Sequence, residues 1–439
     1  MTVTAFAATK VDAKVDAKPP ADAAKTDASR TTPAAPPWLT PQLLTAALRE
    51  EDETTGQVTT IRVRPATGAN ENYMSELYRV HAHIGKAEVR RLIVKAVPAA
   101  EVAAAIVSSC GLFSRETRTL RDLLPRMERH LAAGLAHRPK HHQKLGPRVI
   151  AACSNGALVM EDLCERSYSN VPRADGLDLP HSLVAVRLLA RLHAASLLLH
   201  ARGGEHARAL EALGNCWLDE PMRTTFQTLL TTSLLTLANA ARTWPALGDA
   251  VADKMKAAAP VAHKRVLEAL ANKPGDFLVM CHGDAWSNNI MFDYDEETAQ
   301  VRSALLVDFQ MVSWASPSMD LHYFLTLAVA PRVLLESSAR VVRAYHAELV
   351  ECLACMGWRG DPPSLAALQR DVRAREVYAF SSAVNLLPIR FVDANLDMDS
   401  AAMMEVDSPV RLKTLNDSRC RKLMEALIPG YLARGFLDP

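Results

Sequence analysis

The apolar run Phe277-Leu278-Val279-Met280 stops at Cys281-His282-Gly283-Asp284, and two asparagines, Asn288 and Asn289, follow before Ile290-Met291-Phe292 resumes it. A buried strand gives way to a polar loop where the loop's side chains have work to do. Residues 277–284 read as a strand entering a loop, and 289–295 as a second strand. The polar turn 295–300 then leads to a returning strand, 301–309, so the turn centre falls near 298. Facing residues of an antiparallel pair sum to a constant, which places Asn289 opposite Asp308. Asp284 lies a few residues before Asn289. The expected hairpin therefore gathers Asp284, Asn289 and Asp308 at one end.

An amide oxygen beside a carboxylate suits a hard cation such as Mg²⁺, which binds one or two carboxylates together with phosphate oxygens. A further carboxylate, not needed by the metal, can accept the proton of a hydroxyl. A base aspartate, a metal asparagine and a metal aspartate are the groups that phosphoryl transfer uses. An ordinary turn also employs Asp and Asn to satisfy backbone groups. That reading suits any one of the three residues and leaves their convergence unexplained.

The chain has 439 residues, 49% of them apolar, which is more than one small core uses, so two lobes are expected. Residues 1–36 are rich in Ala, Lys, Asp, Thr and Pro and read as a disordered tail. Region 37–160 is β-rich, with strands expected over 58–65, 73–84 and 91–97 and a hairpin over 147–160. Helical spacing covers 101–127 and ends near Pro125. From 161 to 439 helices dominate, over 183–200, 221–242, 249–272, 331–356, 364–385 and 411–435. The formal net charge of +1 argues against a nucleic-acid partner. No apolar run reaches the roughly 18 residues that suggest a membrane span. Eight scattered cysteines point to a reduced, cytoplasmic protein. Cys352 and Cys355 sit in a helical pattern and are expected to be core packing.

The motif His282-Gly283-Asp284-x-Trp286-x-x-Asn289-x-Met291-Phe292, then Val307-Asp308-Phe309-Gln310, then Pro317-x-x-Asp320-Leu321-x-Tyr323-Phe324-Leu325 resembles the ecdysteroid kinase-like family. That family lies within the aminoglycoside phosphotransferase and choline kinase group. The resemblance implies an α+β, two-lobed protein-kinase-like fold. Its small β-rich N-lobe, 37–160, would hold the nucleotide, and a larger, mainly helical C-lobe, 161–439, would carry the catalytic hairpin and the acceptor site. It implies a monomeric kinase that uses ATP and Mg²⁺ to phosphorylate a hydroxyl of a small molecule, an ecdysteroid or a similar apolar hydroxylated compound. Asp284 would be the catalytic residue, and Asn289 and Asp308 would hold the metal.

A kinase of this fold needs a strand lysine for the α- and β-phosphates and a helix glutamate to orient it. Lys95 ends the strand Leu92-Ile93-Val94-Lys95 and matches the family pattern; the alternative is an edge lysine with a solvated head. Glu116, in Phe113-x-x-Glu116, matches the helix glutamate, with Glu101 as the fallback partner. Asn72, Tyr73 and Ser75 match the family's Gly-x-Asn-Tyr-x-Ser phosphate loop. Asn70 takes the glycine position, and asparagine visits left-handed backbone more readily than most residues. Leu158-Val159-Met160-Glu161-Asp162-Leu163 resembles the hinge, where Glu161 and Leu163 would meet adenine through backbone atoms and Met160 would line the pocket.

Other residues have local explanations. His193 lies on an apolar helix stripe and reads as a satisfied core histidine. His282 is expected to hold the loop by hydrogen bonding, and Asp320 either to cap the helix that follows it or, as the resemblance to related folds implies, to brace the catalytic loop. Trp286 is expected to fix the loop by packing rather than to stack on an acceptor. Two rival readings remain. One is a nucleotide-binding pseudokinase that serves as an interaction module, and the other a kinase of the choline or aminoglycoside type.

Overall fold

The computed structural model describes residues 35–67, 74–86, 88–98, 101–153, 155–392 and 404–438. The tail expected over 1–36 lies outside them except for Ala35 and Pro36, and so do Asn70, Asn72 and Tyr73 of the expected phosphate loop.

The described chain opens with a helix that periodicity did not reveal. Thr40 accepts a hydrogen bond from the Leu43 N–H and caps α1, Pro41–Glu51, whose first residue is a proline placed where no N–H is needed. Strands β1 (Val58–Pro65), β2 (Glu76–Ile84), β3 (Glu88–Ala96), β4 (Val149–Ala152) and β5 (Leu158–Glu161) form one antiparallel sheet in the order β1-β2-β3-β5-β4. The two-residue period of a strand sorts the side chains between its faces. Leu92, Val94 and Val159 pack beneath Leu44, Ala47 and Leu48 of α1. Ile93, Lys95 and Met160 turn to the opposite face and line a cleft.

Helical spacing over 101–127 resolves into α2 (Glu101–Ser109), α3 (Leu112–Arg118), a single π-helical turn (Thr119–Leu123) and α4 (Leu124–Gly134). Pro125 therefore does not end the helix. The π turn restarts the hydrogen-bond ladder just before it, so the proline occupies the first turn of α4, where its missing N–H is harmless.

The strands β6 (Ser169–Asn170), β7 (Val279–Cys281), β8 (Ile290–Tyr294), β9 (Val301–Leu306) and β10 (Ser313–Ala315) are embedded among helices. These are α5 (Leu179–Ala201), α6 (Gly204–Glu211), α7 (Met222–Ala241), α8 (Gly248–Ala258), α9 (Ala262–Leu270), α10 (Ser318–Leu327) and α11 (Pro331–Cys355). The C-terminal part adds α12 (Leu365–Ala374), α13 (Val377–Asn385), α14 (Leu387–Arg390), α15 (Pro409–Leu415) and α16 (Ser418–Ala433). The architecture is an α+β, two-lobed fold with a β-rich N-lobe and a mainly helical remainder.

Three long helical windows split in two. Pro260 lies between α8 and α9, and Asp417 caps α16 through the Arg419 and Cys420 N–H groups. Between α12 and α13 the chain turns at Arg375, whose buried guanidinium meets Asp276 and Asp371. Of the cysteine pair on α11, Cys352 is buried and Cys355 is exposed, so core packing describes only the first.

One exclusion needs correction. Helix α5 is long and apolar enough to cross a membrane by length and composition, although no unbroken apolar run announces it. In the fold 83% of its apolar window is buried, as befits a core helix. Its one fully enclosed cation, Arg191, pairs with Glu348 of α11 at 3.1 Å, and Arg138 shares the same carboxylate at 2.7 Å. Removing that carboxylate would strand Arg191 in an apolar interior. Glu348→Ala is expected to lose about 3–5 kcal/mol of stability, and an Arg191→Met/Glu348→Leu double variant to recover most of it. Urea unfolding of both proteins checks this; a loss below about 1 kcal/mol for Glu348→Ala would contradict it.

Candidate active site

The loop after β7 is held from beneath. Asp320 accepts hydrogen bonds from the His282 N–H at 2.6 Å and the Gly283 N–H at 2.8 Å, and its carboxylate also meets His193 Nε2 at 3.0 Å. Asp320 is the third residue of α10, whose N-cap is Pro317, so of its two expected roles it braces the loop and does not cap the helix. Burial would raise its carboxyl, but His193 and His282 and the loop N–H groups hold it below the usual carboxylate range. His193 is satisfied as expected, with Tyr345 Oη 2.7 Å from its other nitrogen.

Gly283 has φ +80, and a Cβ there would sit 2.1 Å from the Met311 carbonyl oxygen, so only glycine fits this turn. His282 locks the next residue. Its Nε2 faces the Val307 carbonyl at 3.1 Å, and its Nδ1 accepts the Asp284 N–H at 3.3 Å. One nitrogen must donate and the other accept, which is the neutral tautomer. Burial pushes the imidazole down in the same direction.

Asp284 is clamped at both oxygens. Asn289 Nδ2 donates to Oδ2 at 2.7 Å and to the Asp284 carbonyl at 2.9 Å, and the Tyr323 hydroxyl donates to Oδ1 at 2.5 Å. Burial, then the charge of Asp308, push the Asp284 carboxyl up to about 8 against these hydrogen bonds. A carboxylate with that proton affinity is well matched to accepting a hydroxyl proton near neutral pH. Because Asn289 spends its amide N–H groups on Asp284, its Oδ1 is the atom left to face a ligand.

The hairpin brings Asn289 and Asp308 together, but the expected register is one residue out. Ile290 pairs with Leu306, and the Val307 N–H donates to the Asn289 carbonyl, so Asn289 faces Val307. An irregularity between Asp293 and Tyr294 shifts the count. Asp308 still reaches the site because it leaves the strand with φ 66 and ψ 72, left-handed geometry that redirects its side chain.

Across the cleft, Lys95 Nζ lies 2.6 Å from Glu116 and 2.8 Å from Asp308. Burial alone would lower the lysine, but Asp308 and Glu116 outweigh it and hold the ammonium above its ordinary value. Glu116 also accepts the Phe309 N–H at 3.2 Å, tying α3 to the residue after Asp308. Burial pushes Glu116 up while Lys95 opposes it.

At the hinge, Met160 lines the cleft as expected. The Glu161 N–H is committed to the Arg148 carbonyl, so the expected backbone contact from Glu161 can come only from its carbonyl. The Leu163 N–H has no hydrogen-bond acceptor among the described residues. Ser75 is buried at the start of β2 and does not line the cleft, while Asn72 lies outside the described residues.

Two cavities meet at this site. The larger, about 480 Å³, is lined by Lys95, Glu116, Met160, Leu163, Asn289 and Asp308, among others. The smaller, about 150 Å³, is lined by Asp284, Trp286, Tyr323, Leu327, Leu386 and Ile389, with Met74 and Gln310. Among the described residues, Asn289 and Asp308 are the only lining residues they share. Asp284 faces the smaller cavity alone. Trp286 packs against the core as expected, yet it is also a wall of that cavity. Tyr323 is part of the family motif but was given no role from sequence, and Asn170 was not singled out. Tyr323 lies three residues after Asp320 on one face of α10, a spacing that could have flagged it. Asn170 holds the loop by donating to the Asn288 and Ile290 carbonyls at 2.8 and 3.1 Å.

A sequence profile of the ecdysteroid kinase-like family matches residues 69–358, about two-thirds of the chain, a span that holds Lys95, Glu116, Asp284, Asn289, Asp308 and Asp320. The chain belongs to the ecdysteroid kinase-like family. A 4-hydroxytryptamine kinase of Psilocybe cyanescens is 33% identical over 66 residues, a segment covering 15% of this chain and 18% of that protein. Solved structures with similar chain paths include macrolide 2'-phosphotransferase MphH of Brachybacterium faecium, at 15% identity and a TM-score of 0.36 over 90% of this chain and 98% of that one. Another is choline kinase LicA of Streptococcus pneumoniae, at 13% identity and a TM-score of 0.36 over 87% and 99%.

Loss of the Tyr323 hydroxyl would free one oxygen of Asp284 while leaving the ring in place. Tyr323→Phe is expected to melt like the parent and to turn over an accepted alcohol about tenfold more slowly, the value of one hydrogen bond to a charged group. Steady-state kinetics beside a thermal melt check this; normal turnover with reduced stability would reduce Tyr323 to a packing residue.

Proposed function

We propose that the larger cavity takes ATP, that the smaller takes the acceptor alcohol, and that Asn289 and Asp308 hold Mg²⁺ where the two meet. The observation that carries this reading is the sharing of Asn289 and Asp308 by both cavities, with Asp284 on the acceptor side and Lys95 on the other. The amide oxygen of Asn289 and the carboxylate of Asp308 form the all-oxygen donor set that a hard divalent cation prefers. Such a cation neutralises charge on the β- and γ-phosphates. Lys95, oriented by Glu116, meets the α- and β-phosphates. The Leu163 N–H and the Glu161 carbonyl read the adenine edge, over Met160.

On the acceptor side, Asp284 takes the hydroxyl proton as the oxygen forms its bond to the γ-phosphorus. The bond to the β–γ bridging oxygen breaks, and ADP leaves. Tyr323 and Asn289 keep the carboxylate aimed at the incoming hydroxyl. Among the described residues, the smaller cavity carries no carboxylate besides Asp284 and Asp308, and much of its wall is apolar. That supports an apolar hydroxylated acceptor, an ecdysteroid or a compact hydroxylated ring such as a hydroxyindole, over a polycationic aminoglycoside or choline. A pseudokinase reading lacks support, because no member of the constellation is replaced.

Nucleotide titration separates the roles without knowledge of the acceptor. Asp284→Asn is expected to bind ATP with Mg²⁺ normally while losing about 10²–10⁴ in turnover. Asp308→Ala is expected to lose the strengthening of ATP binding by Mg²⁺. Equal Mg²⁺ enhancement in Asp308→Ala and the parent would overturn the metal assignment. A screen of ecdysteroids, other hydroxylated steroids and hydroxyindoles, read as phosphate gain by mass, identifies the acceptor.

A further inference from the structure

Far from the cleft, α4, the end of α5 and the start of α6 enclose a hollow of about 230 Å³. Arg126 and Arg129 reach it from α4, and Arg202 from the C-cap of α5. His130 and His206 complete its polar wall, and Leu199 is its apolar floor. Three other arginines of the protein each meet two carboxylates. Arg242 has Asp249 and Asp253, Arg375 has Asp276 and Asp371, and Arg138 has Glu348 and Glu351. Around this hollow no carboxylate forms an ion pair with any of the three arginines among the described residues. Glu205, the acid in the first turn of α6, is exposed and does not line it.

The three arginines are exposed at the rim of one hollow, and two of them stand at helical i, i+3 spacing on α4. Both Arg202 and Arg129 act on His130: burial first, then those two charges, hold its imidazole below the ordinary value. In a chain of net charge +1 this local surplus is not a general property of the surface. The arrangement is explained if the missing acid is a ligand.

We propose that this hollow is a binding site for a phosphoryl dianion, a phosphate monoester or pyrophosphate group. A carboxylate offers two oxygens and one charge, whereas a phosphoryl group offers three oxygens and can engage three guanidinium forks at once. The hollow is several times the roughly 30 Å³ share of a water molecule and has room for such a group. The site is independent of the nucleotide cleft. It lies on α4, which continues through the π turn from the helix that bears Glu116.

Calorimetric titration of inorganic pyrophosphate into the full chain, with EDTA present, tests the site. Binding is expected in the parent and in Lys95→Met alike, and about tenfold or more weaker in Arg129→Gln/Arg202→Gln, with melting temperature and kinase turnover unchanged. Arg129→Lys, which keeps the charge and loses the fork, should fall between them and serves if the double variant fails to fold. No binding by the parent would overturn the proposal. So would binding lost in Lys95→Met and kept in the arginine variants, which would place the anion in the nucleotide cleft. A parallel arm compares vesicles containing phosphatidylinositol phosphate with the soluble headgroup. Tighter arginine-dependent binding to the vesicles assigns the phosphoryl group to a lipid, and equal binding assigns it to a free metabolite.

Discussion

One buried ammonium holds the two lobes in working relation. Lys95 comes from β3, Glu116 from α3 and Asp308 from the end of the hairpin, and all three meet within hydrogen-bonding distance. Two carboxylates this close, out of water, repel strongly unless a cation lies between them. The lysine therefore does more than wait for phosphates; it lets Glu116 and Asp308 share one enclosed space. Glu116 then reaches on to the Phe309 N–H, so the helix that orients the lysine also fixes the backbone beside the metal aspartate.

The catalytic loop is supported independently, from the helical side. Asp320 takes the two loop N–H groups, and His193 of α5 buttresses Asp320 in turn. Ser196, one turn further along α5, accepts the N–H of Met280 just before the loop. Core helix α5 thus sets the height of the loop, and α10 supplies both the brace, Asp320, and the clamp on the catalytic carboxylate, Tyr323. A loop fixed at its base can present Asp284 with both oxygens oriented, the preorganisation that phosphoryl transfer needs most.

Much of this was legible in the amino-acid sequence. The strand at 58–65 and the hairpin could be read because alternation over a short run, bounded by polar turns, has few competing interpretations. Asp284, Asn289 and Asp308 stand where an apolar pattern ends or is interrupted, whereas Lys95 and Glu116 were picked out by the resemblance of their strand and helix to the family's. The one-residue error in register arose at the irregularity beside Tyr294, which no spacing reveals. Helix breaks at Arg375 and in the π turn were hidden because tertiary contacts, a buried guanidinium in one case, decide them. Sequence left the two readings of Asp320 open because a first-turn aspartate looks the same whether it serves its own helix or a loop across the core. Tyr323 stood in the family motif without a role because a tyrosine in an apolar helix resembles packing until its hydroxyl partner is known.

The account stands on Lys95 acting as a nucleotide contact as well as a structural cation. Thermal melting of the parent and of Lys95→Met, each with and without ATP and Mg²⁺, tests this most directly, since a ligand raises the melting temperature only of a protein that binds it. The parent should gain several degrees and Lys95→Met little or nothing, while still melting cooperatively. An equal gain in both proteins would show that the nucleotide does not meet Lys95, and would contradict the account.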